Sequence, residues 1–225
     1  MTRKRILLGV GVFCFAVFVI FSYIVHTDTL IHFDFNSTVR LQNHISRRFD
    51  LFFSYFSVMG TFEVMTVLLF LILILRRQIK EIIVYLFGFG TILLFELFGK
   101  IFVTHPGPPF RFARYISLVQ FPTDYVPHPS GSYPSGHAAR TIFVSSVLVI
   151  LILGSRRVPA YLKYLMTAGV VIFDAIMLVS RVDLGEHWTT DVIGGTLLGL
   201  SLGIGCYLLV VILEKRNRSR GPKTI

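Results

Sequence analysis

The chain alternates long apolar runs with short basic or polar breaks. Ile6 to Thr27 carries no charged residue, and neither does Val192 to Leu213. Each run is long enough for a helix to cross a hydrocarbon core of about 30 Å. Four further runs are interrupted by few charges. Leu51 to Leu75 holds Glu63, and Ile82 to Val103 holds Glu96 and Lys100. Ser135 to Ser155 holds Arg140, and Tyr164 to Ser180 holds Asp174. The pattern predicts an all-α fold: a polytopic membrane bundle of six transmembrane helices, one domain over residues 1–225. The first run is too long for a signal-peptide core, and no small-x-small cleavage site follows it.

Two polar segments separate these runs at one end of the bundle. Asp28 to Asp50 places Leu41, Ile45 and Phe49 at helical spacing beside Arg40, Arg47 and Arg48. That pattern predicts an interfacial amphipathic helix. Thr104 to Pro134 holds seven of the nine prolines, which predicts a long irregular loop. Its aromatics (Phe110, Phe112, Tyr115, Phe121, Tyr125 and Tyr133) are expected at the headgroup level, or bordering the path of a lipid tail.

Composition fits this picture: 54% of residues are hydrophobic and the mean hydropathy is +0.72. The net charge of +10 invites a nucleic-acid partner, but its distribution argues against one. Lysine and arginine cluster at Arg3–Arg5, Arg76–Lys80, Arg156–Lys163 and Lys215–Lys223, at alternate ends of the apolar runs. The positive-inside rule puts these clusters, and both termini, in the cytoplasm of a multi-pass cell-membrane protein. All seven histidines (His26, His32, His44, His105, His128, His137 and His187) then fall on the outer side. Cys14 and Cys206 lie inside apolar runs and read as inert core thiols.

That outer side collects phosphate chemistry. Lys100 lies 20 residues beyond Lys80, about 30 Å up its helix. Arg181 ends the fifth helix on the same side. The fourth and sixth helices begin there, and helix N-termini attract phosphate through free N–H groups and the macrodipole. Ser135 is well typed as an N-cap. His187 and Asp191 are four apart, so the carboxylate can hold one ring nitrogen and make the other more nucleophilic. His137 opens the fourth helix and can give a proton to a leaving alkoxide. A Cys-x5-Arg loop, a His-Glu-x-x-His helix and a paired-carboxylate metal site are all missing. A metal-independent phosphohistidine route, with no cofactor, is the chemistry left.

Tyr133-Pro134-Ser135-Gly136-His137 and Ser180-Arg181, five residues, His187, three residues, Asp191 resemble the type-2 phosphatidic-acid phosphatase superfamily. That family includes lipid phosphate phosphatases, bacterial undecaprenyl-diphosphate phosphatases and, more remotely, vanadium haloperoxidases. Its Pro-Ser-Gly-His and Ser-Arg-x5-His-x3-Asp motifs match without change. The resemblance implies that His187 is the nucleophile, Asp191 its orienting partner and His137 the general acid. It implies that Lys100, Ser135, Gly136 and Arg181 bind the phosphoryl oxygens. The remaining motif, Lys-x6-Arg-Pro, departs: Lys100 and Pro108 are present, but Gly107 stands at the arginine position. Arg140, Arg111 and Arg114 are the candidate substitutes. Arg140 either binds phosphate, snorkels toward the outer surface or pairs with a carboxylate such as Glu96.

The expected activity is hydrolysis of a phosphomonoester or diphosphate on an isoprenoid or glycerolipid, with membrane lipids as surroundings. A phosphotransferase is the alternative within the family. Outside it stand a transporter, motivated by Glu96 and Asp174 within spans, and a lipid-binding protein without catalysis, motivated by Gly107. Against the transporter, Glu96 is placed to pair with Lys100, and Asp174 either orients Arg181 or stays protonated. The Gly195, Gly199 and Gly203 stripe is expected to pack the sixth helix within the bundle.

Overall fold

The computed structural model describes residues 3–76, 79–125 and 131–220. Of the residues used above, Arg77, His128 and Lys223 lie outside this set. Eight α-helices run along the described residues: α1 Arg3–His26, α2 Ile31–His44, α3 Asp50–Met59, α4 Phe62–Arg76, α5 Ile79–Phe102, α6 Gly136–Gly154, α7 Ala160–Asp183 and α8 Thr189–Arg220. Helices α1, α5, α6, α7 and α8 are each long and apolar enough to cross a membrane. The expected second span is broken: α3 and α4 qualify together, bent by 55°. Counting that pair as one crossing, the protein is a six-span helical membrane bundle.

The bend follows from local chemistry. Gly60 closes α3, donating its N–H to the carbonyls of Ser57 and Val58. A Cβ at Gly60 would come within 2.9 Å of the His137 ring and 3.0 Å of Met177. The missing side chain therefore lets the elbow of the broken span press against the start of α6.

Helices α6 and α8 form the most extensive contact, with α1 and α5 closing around α8. The glycine stripe makes this possible. Gly195, Gly199 and Gly203 face the Ser135 carbonyl, the Ala139 carbonyl and the Ser146 hydroxyl, where any Cβ would collide. The stripe is thus an internal packing surface, as its sequence suggests. We expect Gly199→Val to lower the melting temperature in detergent, since overpacking costs about 1–3 kcal/mol. Gly90 has open space where a Cβ would stand, so Gly90→Val serves as the control with little change.

Helix α2 differs from the amphipathic expectation. It stops at His44, Ile45 is extended, and a 3₁₀ turn follows at Arg47–Phe49. Of the three expected apolar anchors Leu41 packs against Ala138, Val182 and Val192 and Ile45 is half-buried, while Phe49 is 52% exposed. The fully buried residues of α2 are polar, Asp34 and Thr38. Asp34 is drawn inward because it accepts from the Thr190 N–H (2.8 Å) and hydroxyl (2.7 Å) at the start of α8.

The loop after α5 carries 3₁₀ turns at Phe110–Phe112 and Pro122–Tyr125. Phe110 is exposed, as a headgroup-level ring would be, but Phe112 and Tyr133 are buried. Phe112 meets Trp188 and Phe35 edge-on, and Tyr133 stacks on Phe18 with its hydroxyl bonded to Ser22 (2.9 Å). Arg114 staples the loop to the bundle. Its guanidinium donates to the carbonyls of Ile45 (3.1 Å) and Gln42 (2.7 Å) and faces Asp183 (3.5 Å).

Candidate active site

The start of α6 is built by capping. The Ser135 hydroxyl accepts from the Ala138 N–H (3.4 Å), as its residue type predicts. The Ser135 N–H donates to the Asp191 carbonyl (3.0 Å), which ties the two sequence motifs together through their backbones. Gly136 has no Cβ because the Glu96 carboxylate occupies that space.

The end of α7 sets His187. Gly185 has φ of +71°, in the left-handed region open to glycine at little cost, and the Phe112 carbonyl lies where its Cβ would be. The chain folds back, and the N–H groups of Glu186 and His187 both reach the Arg181 carbonyl (3.2 Å each). His187 Nδ1 then lies 3.3 Å from Asp191 Oδ2, which also accepts the Trp188 N–H (2.9 Å). A carboxylate at Nδ1 fixes the proton there and leaves the Nε2 lone pair free. His137 lies against Gly60, and its charge is coupled to that of His187.

The cations arrive from three helices. Glu96 bridges Lys100 Nζ (2.8 Å) and Arg140 Nη1 (2.6 Å). Arg140 thus takes the carboxylate partner that its position allowed, yet its buried Nε–H has no acceptor among the described residues. Arg181 is 2% exposed, with Ser57 and Glu186 on its terminal nitrogens and a buried Nε likewise without an acceptor. Both guanidinium groups therefore retain a donor for an oxyanion. Arg111 and Arg114 do not join them. Arg111 lies over the Phe35 and Phe112 rings, and Arg114 serves the loop staple. Gly107 is exposed at the loop surface.

Two expectations change here. Asp174 does not orient Arg181; it accepts from the Ser145 hydroxyl on α6 (2.6 Å). The N-terminus of α8 is not open to a ligand in the way that of α6 is, because Asp34 and Asp191 already accept the Thr190 and Trp188 N–H groups. Ser57, Glu186, Asp34 and His105 stand in or behind the site without a motif to mark them. Glu186 had a signal in its place beside His187, and Asp34 in being the one acid of α2. Among the described residues, no three His, Cys, Asp or Glu side chains are grouped as a metal ion requires.

His187 lies between α7 and α8. Burial, then the positive charges of Arg181 and Lys100, push its imidazole well below the usual histidine range; Glu96 opposes them and Arg140 adds to them. These forces favour the neutral ring, the form with a usable lone pair. We expect the acid limb of kcat/KM for a nucleophilic His187 to lie below the usual histidine value of about 6.5. Activity would be retained on mild acidification and lost only as the His187–Asp191 pair takes up a proton. A limb at or above that value, measured with a substrate of known phosphate ionisation, would contradict the assignment.

The fold and site geometry define a class: a multi-pass helical membrane protein with two histidines and three basic side chains gathered at one end of the bundle. The pattern of the PAP2 superfamily matches residues 81–215, and the chain belongs to that superfamily. An undecaprenyl-diphosphatase of Sulfolobus acidocaldarius is 35% identical over 131 residues, 57% of this chain and 55% of that protein. The chain thus matches about half the length of that curated relative. Two solved structures share the fold. A transmembrane PAP2 type phosphatidylglycerolphosphate phosphatase from Bacillus subtilis superposes with a TM-score of 0.67 at 21% identity, over 96% of this chain and 98% of that one. LpxE of Aquifex aeolicus superposes with a TM-score of 0.56 at 23% identity, over 78% and 94%.

Proposed function

We propose that the protein is a membrane lipid phosphatase that hydrolyses a phosphomonoester or diphosphate, an isoprenoid diphosphate first among the candidates. The observation that carries this is the meeting of the His187–Asp191 pair with His137, Lys100, Arg140, Arg181 and the capped N-terminus of α6. The undecaprenyl-diphosphatase name of the relative supports the isoprenoid class.

In this mechanism His187 Nε2 attacks phosphorus, and an N–P bond forms as the bond to the leaving oxygen breaks. His137 gives its proton to that oxygen. A bound phosphate dianion among the cations favours the protonated form of His137. Water then attacks the phosphohistidine, His137 takes its proton, and the N–P bond breaks to release phosphate and neutral His187. Arg181, Lys100, Arg140 and the N–H groups of Gly136 and its neighbours stabilise the charge on the transferring group. The lysine and arginine clusters support a site on the outer side of the cell membrane with both termini in the cytoplasm.

Phosphate release by purified protein tests the reaction, with undecaprenyl diphosphate and phosphatidic acid compared in the same detergent. Release from neither lipid would reject it. Ser117→Cys and Gln78→Cys, each in a background lacking Cys14 and Cys206, test the sidedness. Labelling of the first but not the second by an impermeant reagent in intact cells is expected; the reverse would invert the topology.

A further inference from the structure

Behind Asp191 lies a second layer of chemistry that no motif marks. His105, in the loop five residues after Lys100, is 6% exposed. Its Nε2 stands 3.6 Å from Asp191 Oδ1 and 3.6 Å from Asp34 Oδ2, both on fully buried carboxylates. It also stands 3.3 Å from the Thr190 hydroxyl. The Thr190 hydroxyl hydrogen is committed to Asp34 (2.7 Å), so toward His105 that oxygen can only accept. Nε2 therefore carries a hydrogen, and it faces two carboxylates.

Asp191 Oδ2 already serves His187 and the Trp188 N–H, while its buried Oδ1 makes no close hydrogen bond; the Ser132 hydroxyl and the His105 ring are the further polar groups that face this carboxylate. A buried carboxylate oxygen without a donor favours the protonated acid, and a protonated Asp191 is a poorer anchor for His187. The charged and titratable groups facing this layer come from every side. Asp34 is on α2, Lys100 on α5, Asp191 on α8, and His187 and Tyr133 precede α8 and α6. Asp34 itself is held above the usual carboxylate range by burial, with the Thr190 bonds and His105 opposing.

We propose that His105, held by Asp34 and Thr190, is a positioning residue for the nucleophile: its ring edge, 3.6 Å from the free oxygen of Asp191, fixes that carboxylate against His187 and keeps His187 in register. This rests on His187 acting as proposed above. His105 touches no reacting atom and acts through Asp191. It also brings the loop after Lys100 into the site, in a segment where Gly107 contributes no cation.

The test compares His105→Leu, which removes the donor, with His105→Gln, whose amide nitrogen can stand near the Nε2 position. With farnesyl diphosphate in detergent, His105→Leu should lower kcat/KM about ten- to a hundredfold, the range expected when a buried charged group loses a polar neighbour. Its acid limb should move up by about one unit, because the carboxylate has lost a stabilising donor. His105→Gln should recover most of both effects. A packing role alone would lower thermal stability in both variants and leave the limb in place; that result would overturn the proposal. Orthovanadate binding to the purified proteins separates this from the lipid-phosphatase reading. If wild type releases no phosphate but binds vanadate, the reading fails while the inference is still decided. About tenfold weaker vanadate binding in His105→Leu, restored in His105→Gln, would uphold it. Equal affinities in all three would sink it.

Discussion

His187→Ala is expected to abolish turnover and phosphoenzyme formation together, a fall on the order of 10⁶-fold for a covalent nucleophile. The substitution removes the ring that Asp191 holds by Nδ1. The fold should survive, because the α7–α8 turn is set by Gly185 and by backbone bonds to the Arg181 carbonyl, not by the imidazole. His137→Ala should behave differently. A general acid is worth about 10²–10⁴-fold, and less for a leaving group that departs without a proton. Rates for an alkyl and a nitrophenyl phosphoester, measured side by side, check this. A uniform loss across leaving groups would make His137 a phosphate-binding group instead.

Arg140→Gln is expected to lower kcat/KM by about 10²–10³-fold, comparable to removing one preorganised donor from an oxyanion site. Arg140 is the candidate for the cation that Gly107 does not supply. Its charge acts on His187, and its Nε–H is buried without an acceptor, although Nη1 is engaged by Glu96. Folding should change little, since Glu96 keeps Lys100 when Arg140 is lost. Glu96→Gln should do the opposite to binding. Releasing two cations from their shared carboxylate should tighten vanadate binding while lowering thermal stability. Near-normal kcat/KM in folded Arg140→Gln protein would confine Arg140 to its ion pair. Arg111 and Arg114 could not replace it, as each is committed at the loop surface.

The amino-acid sequence by itself determined the elements and the local pairs. Six apolar runs are legible because a helix that crosses lipid must satisfy its backbone internally and present apolar side chains. The His187–Asp191 pair and the Ser135 cap are legible because they are made within one turn. So is the Glu96–Lys100 pair, four residues apart on α5. The glycine stripe of α8 signalled a close helix contact, though not that α6 would fill it.

Only the tertiary structure decided which long-range partner each buried polar group takes. Arg140 meets Glu96 across 44 positions, and Asp34 meets Thr190 across 156. Asp174 turned to Ser145 although Arg181 lay on roughly the same helix face. The break at Gly60, which puts Ser57 against Arg181 and makes room for His137, was likewise not read from the run Leu51 to Leu75. The reason is physical. Apolar runs specify that a helix crosses the membrane but carry little information on its rotation and depth against its neighbours. Those offsets determine which carboxylate reaches which donor, and the position of His105 between Asp34 and Asp191 depends on them.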